Sequence, residues 1–200
     1  ISTVTLTNDE QVIAYRDVFC KPHKLSSEWL ERVSVHNSTS SIDMSQISCP
    51  PIIGLELAGN ITNIPVGAFD FTALESYLDL VPIHDLVLSG TQIRTIQANA
   101  FRDQSLRSLV VPSTLESIGD NAFADNLIDS LTLNPGIVSI KRGAFERNLI
   151  VENALTTGTL TIPTGVIELG EAAFRGNKIA NVAFSNTMTT LEAEVFAENK

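Results

Sequence analysis

The sequence predicts an α/β solenoid: a right-handed array of parallel coils with short strands on one face and short helical or 3-10 turns on the other. Three features of the chain favour this fold. A Phe, usually preceded by Ala, recurs at intervals of 22 to 32 residues, aliphatic residues recur at fixed distances before it, and 44% of the 200 residues are hydrophobic. Such periods are typical of solenoids, in which neighbouring coils bury one another's apolar side chains.

Each coil is defined by one Phe, and the six Phe residues are 32, 22, 22, 29 and 22 positions apart. Five of them follow Ala, and four are followed three positions later by Asn. This many coincident positions indicate one structural unit repeated along the chain. The Phe residues are Phe69, Phe101, Phe123, Phe145, Phe174 and Phe196. The aliphatic residues five positions earlier are Ile64, Ile96, Ile118, Ile140, Leu169 and Leu191.

Pairs of apolar residues separated by one residue lie twelve and fourteen positions before most of these Phe residues. Their period-2 alternation predicts short strands whose apolar side chains point into the core. Pro112 and Pro163 follow two of the pairs and would end those strands, because proline has no N–H to donate. In the coil of Phe101 the pair lies one position earlier. The pairs are Val33/Val35, Leu55/Leu57, Leu86/Leu88, Leu109/Val111, Leu131/Leu133, Leu160/Ile162 and Val182/Phe184.

The segment around each Ala-Phe predicts a short helical or 3-10 turn that packs Phe as the largest side chain of the core. Asp120 and Asn121 would cap one such turn, because short polar side chains accept hydrogen bonds from the first N–H groups. The Asn three positions after Phe would end the turn, since Asn tolerates the left-handed conformation. One coil cannot bury its own Phe, so stacking of neighbouring coils is expected.

Residues 1–32 are predicted to form an N-terminal cap, and residues 33–200 an array of about seven coils of 22 residues. The cap contains an alternating run, STVTLT, and a helical-looking run, SSEWLERV. The two long Phe spacings place insertions near residues 75–85 and 151–157. The sequence stops within a coil, before the next expected strand, which predicts an array truncated at its C-terminus.

The run LRSLVVPSTLESIGDNAFADN, residues 106–126, resembles the BspA-type leucine-rich repeat, and LTIPTGVIELGEAAFRGN, residues 160–177, is similar to it as well. The resemblance covers about residues 33–200. It implies a leucine-rich repeat array in a secreted or surface-anchored protein, often an adhesin that binds another protein. The Gly that follows Ile in this pattern is present only as Gly119 and Gly170. Because proteins of one fold differ in function, the resemblance does not identify a ligand.

The acidic composition excludes several classes of function. A net charge of −10 and a pI of about 4.6 disfavour nucleic acid and anionic membrane surfaces, since both need a basic face. No run of about 20 apolar residues would span a bilayer. The signature motifs of nucleotide-binding enzymes, zinc proteases and serine hydrolases are absent. We therefore expect no enzyme activity, cofactor, metal, nucleic-acid partner or membrane insertion.

Cys20 and Cys49 lie outside the regular repeats, and three interpretations of them stay open. A disulfide that closes the cap fits a secreted protein. Two buried thiols are the plain structural alternative. A metal site with His23 and His36 would have plausible Cys-x-x-His spacing, but its gaps of twelve residues match no established zinc pattern.

The two insertions predict where a partner would bind. Both come just before a strand and therefore on the same rim, and insertions confined to one face often mark the binding face. The first contributes Tyr77 and His84, and the second Glu152 and Asn153. Tyr77 ranks first because aromatic residues dominate binding hot spots. Between the insertions, the outward strand positions are Ser108, Val110, Ser130, Thr132, Thr159 and Thr161.

These features predict a protein-binding module of a secreted or cell-surface protein. Its partner would be a protein, either from the host extracellular matrix or from another surface protein. The alternative is a structural spacer of a larger surface protein, with no ligand of its own. For the rim itself, the alternative to a binding site is an inert loop, in which the apolar residues of the first insertion pack it onto the core; they are Leu78, Leu80, Val81 and Ile83.

Overall fold

The computed structural model of the chain describes residues 3–6, 30–37, 52–69, 83–88, 90–150, 159–184 and 188–199. These residues form fourteen strands, and every pairing between the strands is parallel. The predicted array of parallel coils is therefore confirmed. The strands are β1 (Thr3–Leu6), β2 (Leu30–Asn37), β3 (Ile52–Gly59), β4 (Asn63–Ile64), β5 (Asp85–Val87), β6 (Thr95–Ile96), β7 (Ser108–Val110), β8 (Ser117–Ile118), β9 (Ser130–Thr132), β10 (Ser139–Ile140), β11 (Thr159–Thr161), β12 (Glu168–Leu169), β13 (Asn181–Ala183) and β14 (Thr190–Leu191).

The strands fall into two sets that alternate along the chain from β3 onward. The first set, here the strand face, contains the predicted apolar pairs and forms three sheets: β1-β2-β3-β5, β7-β9 and β11-β13. The second set, here the second sheet, contains the aliphatic residue five positions before each Phe. It is one continuous sheet, β4-β6-β8-β10-β12-β14. Sequence analysis missed it, because a two-residue strand leaves no alternation to detect.

The predicted cap contributes a strand to the same sheet as the first coils. β1 pairs with β2 in a register that aligns Val4 with Val33 and Leu6 with Val35. The alternating run of the cap thus continues the strand pattern of the array. The helical interpretation of SSEWLERV is wrong for its last four residues, which lie in β2. The boundary at residue 32 stays a prediction.

Six Phe rings form one continuous stack through the core. Neighbouring ring centroids are 5.1 to 5.6 Å apart, and neighbouring ring planes differ by 5° to 10°. The rings from Phe69 to Phe174 are fully buried, which confirms the predicted burial of Phe123 and Phe145. The aliphatic residues of the second sheet are equally buried from Ile64 to Leu169. Burial by neighbouring coils is therefore complete in the described interior of the array.

The Ala-Phe segments are turns, and the predicted helical or 3-10 conformation is wrong for the described residues. The described residues two before and two after Phe have φ between 52° and 68°. Left-handed residues interrupt a right-handed helix. Asn121, predicted to cap a helix, is one of them, and its N–H donates to the Arg142 carbonyl at 2.9 Å. The Phe123 N–H donates to the Ala144 carbonyl at 2.8 Å, so the turn bonds to the next coil in addition to its own bonds, such as the one from the Ala124 N–H to the Asn121 carbonyl at 3.1 Å.

The Asn three positions after Phe does not end the turn in a left-handed conformation, which corrects the prediction. Its side chain joins two coils and is buried at Asn126, Asn148 and Asn177. Asn148 Nδ2 donates to the Phe123 carbonyl at 2.8 Å and to the Phe145 carbonyl at 3.2 Å. Asn148 Oδ1 accepts the Ile128 N–H at 3.1 Å. The side chains that join their coil to the preceding one in this way are Gln104, Asn126, Asn148, Asn177 and Asn199.

Candidate functional site on the strand face

The predicted binding residues that the structure describes are all exposed; they are His84, Ser108, Val110, Ser130, Thr132, Thr159 and Thr161. The residues in β7, β9 and β11 flank a central Leu whose side chain packs inward, because successive side chains of a strand point to opposite faces. Val110 is 66% exposed, the highest value among the large apolar side chains that the structure describes. Tyr77, Glu152 and Asn153 lie outside the described residues, as do Cys20 and Cys49.

The exposed residues form two groups. In the sheet β7-β9, Ser108 lies beside Ser130 and Val110 lies beside Thr132. Thr159 and Thr161 belong to the separate sheet β11-β13, where they align with Asn181 and Ala183. Within the described residues, β9 and β11 are not paired. The hydrogen-bonded ladder between the two groups is therefore interrupted.

A second interruption lies between β5 and β7, which belong to different sheets. An open depression of about 610 Å³ lies there, with Asp85, Val87, Ser108, Val110, Pro112 and Thr114 among the residues that line it. The chain has one additional residue beside it. Leu88 and Ile93 are five positions apart, whereas the equivalent Val111 and Leu115 are four apart. Gly90 accommodates the extra residue with φ of 77°, a conformation that favours glycine.

Sequence analysis identified two residues of this depression, Ser108 and Val110, and missed the others. The signal was present, because the apolar pair Leu86/Leu88 lies one position earlier than in the other coils. That offset gives the position of an irregular coil but does not show that the surface between the strands opens. His84 directly precedes β5, and so the first insertion leads into the same part of the strand face.

Charged side chains bridge coils on the turn side, the face formed by the second sheet and the Ala-Phe turns. Asp125 bonds Arg147 at 2.6 Å and Arg102 at 3.3 Å, and Lys141 bonds Glu168 at 2.8 Å. The hydrogen bond from Arg147 holds the pKa of the Asp125 carboxyl below its usual range. The other bridges between coils are Arg94–Glu116, Arg142–Asp120, Arg175–Glu194 and Arg175–Glu198. By contrast, the outward positions of β7, β9, β11 and β13 carry no charge.

The described residues contain no feature of a metal site or a membrane span. No three His, Cys, Asp or Glu side chains lie close enough together there to hold a metal ion. In the same part of the chain, no helix has the length and apolar character needed to cross a membrane.

Parallel strands, a stack of Phe rings and a bridging Asn or Gln in the coils from Phe101 to Phe196 define the class: a leucine-rich repeat solenoid. Residues 77–200, more than half of the chain, match the BspA type leucine rich repeat region in six copies. The chain belongs to this family, which confirms the resemblance seen in its sequence. The family is a repeat module and not an enzyme family, and it agrees with the predicted secreted or cell-surface location.

The fold is also similar to that of a solved protein. A crystal structure of a leucine rich cell surface protein from Faecalibacterium prausnitzii matches 92% of this chain with a TM-score of 0.53 and 15% sequence identity. At that identity the likeness concerns the fold alone. The chain spans 43% of that structure, less than half of its length. No curated protein matches the sequence significantly.

Proposed function

We propose that this protein is a protein-binding module of a secreted or cell-surface protein, adhesin-like, and that it recognises its partner through the strand face. The depression between β5 and β7 is the observation that carries the proposal. It combines an exposed apolar side chain, Val110, with hydroxyl groups from Ser108 and Thr114. Protein interfaces typically contain such a central apolar contact with polar groups around it.

The rim loops would complete this surface. His84 is exposed beside β5, and Tyr77 belongs to the insertion that precedes it. Glu152 and Asn153 belong to the second insertion, before β11. The outward positions of β7, β9, β11 and β13 are uncharged and would allow contact with a partner of either sign, whereas Asp85 of β5 adds one carboxylate at the depression. A host extracellular-matrix protein or another surface protein fits this description.

A structural spacer is the second candidate function, and the core favours it. The continuous Phe stack and the buried Asn and Gln side chains couple every described coil from Phe69 to Phe196. Such a repeat array is a stiff, quasi-one-dimensional element. A spacer needs this stiffness but needs no depression on its strand face.

Binding measurements with two matched variants separate the two functions. Val110 and Val66 are 66% and 64% exposed, but Val110 lies on the strand face and Val66 in an Ala-Phe turn. Against a panel of purified extracellular-matrix proteins, Val110→Glu should weaken binding by at least about tenfold, since it places a charge in the apolar contact. Val66→Glu should bind like the parent protein.

Two rim variants extend the test to the loops. Tyr77→Ala and a deletion of residues 152–157 should each weaken binding if the insertions contribute to the site. Circular dichroism checks that every variant stays folded. Equal binding by the parent, Val110→Glu and both rim variants would show that this face is not the site. A folded parent that binds no protein of the panel favours the spacer.

A further inference from the structure

The depression between β5 and β7 is bounded at both ends by hydrogen bonds between its two coils. Before the strands, the Ser105 N–H donates to the Ile83 carbonyl at 3.1 Å. After them, Thr114 Oγ1 donates to the Ile93 carbonyl at 2.8 Å. Between these points, no hydrogen bond joins β5 to β7 in the described part of the chain. The depression is therefore a local opening in the strand face.

Backbone groups of β7 border this opening without a protein partner. The Val111 N–H donates to the Thr132 carbonyl at 3.4 Å and therefore points to β9. Because the backbone groups of successive residues in a strand point to opposite sides, those of Ser108 and Val110 point to β5. Neither residue has a backbone partner there among the described residues. Two N–H donors and two carbonyl acceptors are thus open at the depression.

The opening is too narrow for an additional strand. Cα atoms of β5 and β7 lie within 8 Å of one another. A strand inserted between them would hold them about 9.6 Å apart, which is twice the usual spacing of paired strands. Strand addition by a partner therefore does not fit here, although open strand edges often bind in that way. The occupant has to be a small polar group, and the volume of about 610 Å³ lies in the range of small-molecule sites.

The lining defines the chemistry of that group. Besides the open backbone groups, it has the hydroxyls of Ser108 and Thr114, the apolar Val87 and Val110, and one charged side chain, the exposed Asp85. An occupant must both donate and accept hydrogen bonds. Cationic side chains only donate, carboxylates only accept, and a carboxamide has a single acceptor oxygen. Each hydroxyl group donates and accepts, so a ligand with several hydroxyls matches the whole set.

We propose that the depression binds a neutral saccharide unit of a glycan carried by the partner protein. The proposal rests on the proposed function, because it names what the partner presents to the same site. The sugar hydroxyls bond the open backbone groups of Ser108 and Val110, and Asp85 accepts further hydroxyls. Val87 and Val110 contact the apolar C–H face of the ring. Asp85 also repels acidic sugars, since like charges at short range are unfavourable.

Titration with single sugars tests the proposal directly. The probes are glucose, galactose, mannose and N-acetylglucosamine, with glucuronic acid and sialic acid as acidic counterparts, followed by amide NMR shifts. At least one neutral sugar should bind with a Kd of about 1 mM or tighter and shift the Ser108 and Val110 amides. The acidic sugars should bind at least about tenfold more weakly.

Matched variants locate the site. Ser108 and Ser130 are both exposed on neighbouring strands, but only Ser108 lines the depression. Ser108→Val should weaken sugar binding by at least about fivefold, because it removes a hydroxyl from the lining. Ser130→Val should bind like the parent protein. Asp85→Asn should reduce the discrimination against acidic sugars to less than about threefold, since it removes the repelling charge.

Three results would overturn the proposal. The first is the absence of saturable binding of any neutral sugar up to about 50 mM, which would leave water as the occupant. The second is an equal loss in Ser108→Val and Ser130→Val. The third is unchanged binding of a matrix protein after enzymatic removal of its glycans; if Val110→Glu still abolishes that binding, the proposed function stands without the saccharide. Sugar binding by a parent that binds no matrix protein would instead support the saccharide site and reject the protein-binding function.

Discussion

The turn side and the strand face of the array differ in how their coils are joined. On the turn side, the Phe69, Phe101, Phe123, Phe145 and Phe174 N–H groups each bond to the next coil at 2.8 Å, without interruption. On the strand face the same coils form three separate sheets, with breaks between β5 and β7 and between β9 and β11. One side therefore keeps a strict repeat, and the other tolerates offsets and insertions.

The difference shows which side of a solenoid is free to vary. The turn side holds the Phe stack and the bridging Asn side chains, and a change at either removes contacts with two neighbouring coils. The strand face is anchored by its inward Leu residues, so its outward residues and connecting loops can change without loss of the core. Recognition is accordingly expected on the strand face. Substitutions at Phe123, Asn148 and Asp125 measure how strongly the turn side joins the coils.

Phe123→Ala should lower the free energy of unfolding by about 3–5 kcal/mol, because it leaves a cavity in the middle of a buried stack. The ring has neighbours at 5.4 and 5.5 Å, so hydrogen exchange should also accelerate in the adjoining coils. Chemical denaturation measures the free energy. The control is Val110→Ala on the strand face, with an expected change of less than about 0.5 kcal/mol. Similar losses in both variants would remove the contrast between the two sides.

Asn148→Ala should cost about 2–3 kcal/mol, since it leaves the buried Ile128 N–H and the Phe123 carbonyl without side-chain partners. Denaturation of this variant beside Ser130→Ala gives the comparison, because Ser130 is exposed on the strand face. A loss no greater than that of Ser130→Ala would mean that the bridging side chains do not stabilise the array.

Asp125→Asn tests the ion pairs of the turn side through pH. Arg147 lowers the folded-state pKa of Asp125, so the carboxylate stabilises the protein above its unfolded-state pKa of about 3.9. That contribution is lost as pH falls through the lower folded-state value. At pH 7 the variant should be less stable by no more than about 1 kcal/mol, because the Arg147 side chain is 56% exposed and screened by water.

Denaturation of Asp125→Asn and of the parent from pH 7 down to about pH 2 checks this dependence. Their difference should be constant at neutral pH and should shrink below about pH 4. A difference that grows on acidification would contradict the assigned sign.

The regular positions of the repeat could be predicted, and the conformation of the turns could not. The apolar pairs located the strands because a period of two is readable in three residues. The Ala-Phe turn was predicted as helical, since nothing local in Asp120-Asn121 reveals the positive φ of Asn121. The bridging role of Asn148 was missed for a related reason: its partners Phe123 and Ile128 lie 25 and 20 residues away.

The candidate site, too, could be predicted only in part. The outward residues of β7 and β9 followed from strand alternation and are exposed as predicted. The depression between β5 and β7 did not follow, although the offset of Leu86/Leu88 beside it is visible in the sequence. A sequence repeat gives the position of each residue within its coil, whereas a depression depends on the distance between two neighbouring coils.

The amino-acid sequence alone was enough to establish the repeat, its family, its core positions and the acidic character that argues against nucleic acid. These properties depend on the types of residue that recur and on their spacing, and the sequence contains both. The stacked coils were needed to show that the turns bond to the next coil, that buried Asn side chains bridge coils, and that the strand face is interrupted. Each of these depends on groups some 20 or more residues apart, which meet only when the coils stack.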